Sequence, residues 1–165
     1  MEEIFGIKIK SKIQIRITNA EEIAKEGGYE FTPTPGFDGR ALGFAQRLGN
    51  GKTRIMLENG APKLETEKTL VHEMTHIWQY ENMLNLWSPE RDLVAIEGMA
   101  VWVEAQYLTS LGLEERAKAY VDARCYEDSE YGQGMREYIK RYPLRKGKKV
   151  TRGTSFCKPG QNPLK

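Results

Sequence analysis

Residues 93–105, Leu-Val-Ala-Ile-Glu-Gly-Met-Ala-Val-Trp-Val-Glu-Ala, are apolar on nearly every side of a helical wheel. A helix of this kind is stable only when it is buried all round, so the chain must wrap its other elements about this one. The same helix carries Glu97 and Glu104, two turns apart on one face. A buried carboxylate needs a metal, a cation or strong hydrogen bonds. The fold therefore has to bring such partners to this face.

The remaining composition fits one domain of ordinary size: 165 residues, 39% apolar and 10% aromatic. Mean hydropathy is −0.61, and no apolar run reaches the roughly 18 residues of a membrane span, so no membrane partner is expected. The N-terminal segment is acidic and then alternating, unlike a secretory signal. Cys125 and Cys157 are too few for a disulfide framework or a Cys-only zinc site. They read as reduced thiols, which predicts a cytoplasmic protein. The net charge of +2 is uneven. Residues 145–165 hold seven Lys/Arg and no acid, leaving 18 bases against 23 acids in residues 1–144. That Gly- and Pro-containing tail reads as a flexible basic terminus. Without a binding fold or interleaved aromatics, it does not predict a nucleic-acid partner.

Ile13, Ile15 and Ile17 alternate with Gln14 and Arg16, which predicts a strand with one buried face, and Ile4–Ile9 suggests an earlier one. Asn19 before Ala-Glu-Glu predicts an N-cap and a helix running to Gly27-Gly28. Residues 31–39 read as a loop. Asn50-Gly51 predicts a hairpin turn between strands at 41–46 and 53–58. Helical periodicity begins near Thr66, with Leu70, Met74, Ile77 and Trp78 on a stripe. A loop with Asn85 and Ser88-Pro89 follows, then helices near 91–110, 114–124 and 133–141. Strands first and helices after predict an α+β fold. Trp78, Trp87 and Trp102 read as packing residues rather than a substrate box.

The segment with most chemistry is Leu70-Val71-His72-Glu73-Met74-Thr75-His76, which holds the only two histidines of the chain. At i and i+4 of a helix their imidazoles point the same way and can share one metal, on the side away from Leu70, Met74 and Ile77. Glu73 sits beside them, placed to take a proton from water at that metal. A catalytic zinc site needs three protein ligands and an open position. No third histidine exists, so the third ligand must be a carboxylate. Glu97 fits, with Glu104 in a supporting position accepting a ligand histidine's N–H. Asp92 is the alternative ligand, although a helix cap suits its place equally well. Both glutamates could instead pair with Arg91 or Lys118.

His72-Glu73-x-x-His76 followed after twenty residues by Glu97-Gly98-Met99-Ala100 and Glu104 resembles the gluzincin superfamily of metallopeptidases. Ala61-Pro62-Lys63-Leu64, His72 to Trp78, Glu97-Gly98 and Tyr131-Gly132-Gln133-Gly134-Met135-Arg136 look most like the peptidase domain of DA1-like proteins. The resemblance covers about residues 40–140. It implies a zincin-like minimal metallopeptidase domain over 1–144, with a small N-terminal twisted sheet, the active-site helix and a Glu-bearing helix behind it. It implies one zinc held by His72, His76 and Glu97, with Glu73 as general base, acting on a peptide or protein substrate. The chain lacks the ubiquitin-interacting and LIM modules of the plant members, so regulation through ubiquitin is not implied. Under the resemblance, an edge strand at Thr53–Leu57 would bind substrate backbone by β-augmentation.

Amide hydrolysis also needs a donor for the developing oxyanion. Tyr131 is the preferred candidate because Gly132 and Gly134 would let the backbone turn closely beside a cleft. Arg136 could hold Tyr131 or a substrate carboxylate, and Tyr107 and Tyr126 are the fallback donors. The rival from another class is a zinc-stabilised binding or regulatory domain without turnover.

Overall fold

The computed structural model describes residues 1–31, 41–87, 91–146 and 159–165. Most of the 31–39 loop, Ser88-Pro89, Cys157 and residues 147–158 of the basic tail lie outside the described residues. The elements are α1 (Glu2–Phe5), β1 (Lys12–Thr18), α2 (Ala20–Gly27), β2 (Gly43–Gly49), β3 (Lys52–Glu58), α3 (Lys63–Asn82), α4 (Leu93–Ser110), α5 (Glu114–Cys125) and α6 (Glu130–Arg141). A 3-10 turn, Leu84–Trp87, joins α3 to α4. Among the described residues the class is α+β, with a three-stranded mixed sheet and six α-helices. No helix among the described residues is long and apolar enough to cross a membrane.

Local chemistry sets several boundaries where the sequence expects them. Asn19 accepts from Glu22 N–H at 2.8 Å and starts α2. Asn50 and Gly51 have φ of 51° and 67°, the pair of left-handed residues that a type I′ turn needs between β2 and β3. Asp92 accepts from Ala95 N–H at 3.1 Å and caps α4, so it serves as the cap and not as a ligand. Ser129 caps α6 through Gly132 N–H, three residues earlier than the periodicity predicts.

Three expectations are corrected. Ile4–Ile9 is no strand: α1 and an irregular segment carry Phe5 and Ile7 into the main core instead. The strand at 53–58 is not an edge, because the sheet order is β1-β3-β2 and β3 pairs on both sides. Its register puts Thr53, Ile55 and Leu57 level with Ile13, Ile15 and Ile17, on the face toward α3. Yet Ile15 and Ile17 are 56% and 58% exposed, because α3 lies mainly over β2 and β3 and at β1 meets Ile13.

Helix α3 buries two sides. Ile77, with Leu70 and Met74, packs on Ile55 and Leu57 of the sheet, while Val71 and Trp78 pack with Ile96, Met99 and Trp102 of α4. From Ala95 to Gln106 only Glu97 of α4 is not fully buried, as its all-round apolarity requires. Each large apolar side chain so buried contributes ~1.5–3 kcal/mol, which helps to offset the desolvation of two carboxylates on the same helix. Helices α4 and α6 meet backbone to backbone at Gly98 and Gly134: a Cβ on Gly98 would stand 2.5 Å from Gly134 Cα. Gly132 and Gly134 therefore serve helix packing inside α6, not a turn beside a cleft.

Candidate metal centre

The i, i+4 spacing on α3 brings His72 Nε2 and His76 Nε2 to 3.0 Å of each other. Glu97 Oε2, from α4, lies 3.4 Å from both. This oxygen is buried and makes no hydrogen bond, an unfavourable state unless a cation occupies the space it faces. In a tetrahedral site with bonds of about 2.0–2.1 Å, neighbouring ligand atoms stand about 3.3 Å apart. The His-His-Glu triangle has those dimensions. Among the described residues it is the group of His, Cys, Asp and Glu side chains able to hold a metal.

The other ring nitrogens fix the histidines. His72 Nδ1–H donates to Glu104 Oε1 at 2.6 Å, and His76 Nδ1–H donates to Gln79 Oε1 at 3.0 Å. Both Nε2 lone pairs are thereby turned inward, the arrangement by which outer partners orient metal-binding imidazoles. Gln79 donates in turn to Ile96 C=O at 2.9 Å, beside Glu97. Glu104 is held from behind: Tyr120 O–H donates to its Oε2 at 3.0 Å, and Arg124 Nε–H donates to the Tyr120 oxygen at 3.1 Å. Arg124 also reaches both oxygens of Glu127 at 2.9 and 3.0 Å. Lys118 pairs with Asp122, and Arg91 lies over the Trp87 ring. Neither takes the glutamates from the histidines.

Glu73 is 7% exposed. Gly43 makes room for it under β2, since a Cβ there would stand 3.1 Å from Glu73 Oε1. Burial pushes the Glu73 carboxyl upward, against the pull of His72 and His76. Burial would lower His72, but the Glu104 and Glu97 carboxylates outweigh it and push the imidazole up to about 10, so without a metal a proton sits on Nε2 where a metal would take the lone pair. Burial would raise Glu97, but the two imidazoles hold it well below the usual carboxylate range.

The Tyr131 ring stacks on His72, with centroids 6.3 Å apart and planes 27° from parallel. Burial, followed by the charges of Glu97, Glu130 and Glu73, raises its phenol, so it remains a hydrogen-bond donor. Arg136 does not hold it: its guanidinium is bound to the Cys125 and Glu127 carbonyls at 2.6 and 3.2 Å. The guanidinium near Tyr131 belongs to Arg124, 5.8 Å from the ring. Tyr126 is 90% exposed and Tyr107 donates to Glu67, away from the three ligands.

Sequence reasoning missed Gln79, Tyr120 and Trp87. Gln79 carried a signal, a polar residue one turn beyond His76. Tyr120 carried none, because nothing in α5 marks it as facing Glu104. Trp87 stands edge-on to His76 at 6.0 Å and stacks on Tyr80 at 3.8 Å, so it lines the site as well as packing it. No family model, curated protein or solved structure matches this chain.

Proposed function

We propose that this chain is a zinc-dependent peptidase with a zincin-like fold, in which His72, His76 and Glu97 hold one zinc ion and Glu73 is the general base. The observation that carries the reading is the three-ligand triangle with a buried glutamate following its first histidine. A structural zinc site is closed by four protein ligands, whereas three leave a position for water. The order of ligands, two histidines on one helix and a glutamate on the next, is that of the gluzincins and extends the resemblance to DA1-like peptidase domains.

When bound, zinc would supply an acidified water and a Lewis acid for the substrate carbonyl. The chain's residues would do the rest. Glu73, its basicity raised by burial, takes a proton from the attacking water and returns it to the leaving amine. Tyr131, kept protonated, donates to the carbonyl oxygen as charge develops there. Glu104 and Gln79 keep both imidazoles in place. A peptide or protein substrate would add to β2, the edge strand that passes over Glu73. The cytoplasm is the proposed location, from the reduced-thiol reading.

The test is elemental analysis of tag-free protein, followed by peptide hydrolysis after zinc loading. We expect near one zinc per chain, lost in His76→Ala and Glu97→Ala. Glu73→Gln should keep the zinc and lose turnover. Zinc bound without hydrolysis of any peptide in a mixed library would replace this reading with a zinc-stabilised binding domain. No zinc after reconstitution would refute both.

A further inference from the structure

We propose that β1 is a homodimer interface, whose outer edge, unpaired among the described residues, pairs antiparallel with β1 of a second copy about a twofold axis at Ile15. The inference is independent of the metal centre.

Backbone direction is the first support. Lys12 N–H donates to Gly51 C=O, and Thr18 C=O accepts from Asn59 N–H, so the even positions of β1 face β3. In a parallel strand these groups alternate sides residue by residue. The N–H and C=O of Ile13, Ile15 and Ile17 therefore point to the open edge. Gln14, Ile15, Arg16 and Ile17 are all exposed. Helix α2, which follows β1, packs toward β3 and β2 rather than over this edge.

The sequence of the strand is the second support. Lys-Ile-Gln-Ile-Arg-Ile-Thr keeps its apolar-polar pattern when read in either direction from Ile15. Antiparallel pairing about Ile15 sets Ile13 opposite Ile17 of the second copy, Ile15 opposite itself, and Gln14 opposite Arg16. Every isoleucine pair is then of the hydrogen-bonded kind, exchanging both N–H···O=C bonds, and branched side chains meet across the strands. No like charges stand directly opposite. Lys12, which has no acidic partner among the described residues, comes opposite Thr18, whose hydroxyl binds the Glu22 carboxylate. Lys12 of one copy is thus brought toward the Glu22 carboxylate of the other, which Arg16 of its own chain also binds at 2.5 Å.

The third support is what β1 lacks. Monomeric proteins blunt an edge strand with charged side chains, proline, a bulge or an inward charge; the charges of β1, Lys12 and Arg16, lie on the face away from its isoleucines. β1 has no proline, and its register with β3 is unbroken from Lys12 to Thr18.

The experiment is analytical ultracentrifugation of the whole chain from about 1 to 200 µM, a range that brackets micromolar association. It includes Ile15→Pro and Ile15→Lys. Proline at 15 removes only an outward N–H, which an edge strand tolerates; lysine at 15 sets two cations face to face. We expect a wild-type dimer, and a dissociation constant raised about 100-fold or more in each variant, from lost hydrogen bonds or like-charge repulsion. Unchanged circular dichroism would certify the fold of each variant, and Ile15→Lys serves alone if the proline chain fails to fold. Amide exchange should show Ile15 and Ile17 protected in wild type and unprotected in Ile15→Lys. A chain monomeric at every concentration, or a dimer that survives in the folded variants, would overturn the proposal.

Discussion

Replacing Gly134 with alanine should destabilise the fold while sparing the metal ligands. A Cβ on Gly134 would overlap Gly98 Cα and stand 2.6 Å from Val94 C=O and 2.8 Å from Gly98 N. Carbon atoms pack comfortably at about 3.5–4.0 Å, so α4 and α6 must part by roughly 1 Å or more. The obstructing atoms are backbone, and no rotamer change relieves them. Overpacking of this kind costs typically ~1–3 kcal/mol, and the upper end applies here. Alanine returns about 1 kcal/mol of helix propensity over glycine. The net loss is ~2 kcal/mol, or about 4–8 °C in Tm for a chain of this size. Thermal and urea unfolding followed by circular dichroism would measure it, with the exposed Gln133→Ala as a control expected within about 0.5 kcal/mol of wild type. Gly98→Ala/Gly134→Ala should lose less than the sum of its parts, because the first methyl already separates the helices. His72, His76 and Glu97 lie on α3 and α4, so zinc affinity should change little. Equal or greater stability of Gly134→Ala would refute the close glycine crossing.

Two further outcomes follow from the centre. Glu104→Gln should weaken zinc binding about 10–100-fold by loosening His72, and Tyr120→Phe less, as read by competition with a chromophoric chelator; equal affinities would remove Glu104 from its supporting role. Zinc at a hundredfold excess over Kd should stabilise the fold by ~2.7 kcal/mol, a Tm rise of about 5–11 °C reversed by EDTA and absent from His76→Ala. A Tm indifferent to zinc would count against the three-ligand site.

Much of the centre was legible because its logic is local. Two histidines one turn apart must share a direction, and two glutamates on an all-apolar helix must find partners. Both inferences use helical period and desolvation alone. What was not legible depended on how elements meet. The sheet order is set by tertiary packing, and nothing in 53–58 says that β1 will pair with it in parallel and close its free side. The Ile13/Ile15/Ile17 alternation was read as a buried face because alternation reports polarity, not whether a helix extends far enough to cover it. Arg136 sits five residues after Tyr131, but residues i and i+5 on a helix lie about 140° apart around its axis. The guanidinium that approaches Tyr131 comes from Arg124, which only the packing of α5 on α6 brings there.

The two carboxylates of α4 also act as a key for alignment. In the observed register Glu97 meets both histidines and Glu104 meets His72. A slide of α4 by one turn, about 5.4 Å, would present Ala100 or Val101 to the imidazoles and strand the glutamates among Met99, Trp102 and their neighbours. Leu, Ile, Val and Met are nearly interchangeable in a greasy interface, so apolar packing alone discriminates poorly between such slides. Ionised side chains discriminate sharply, because a misplaced one is left buried without a partner. The residues suited to gripping an ion are therefore also the ones that tell α3 and α4 where to stop sliding.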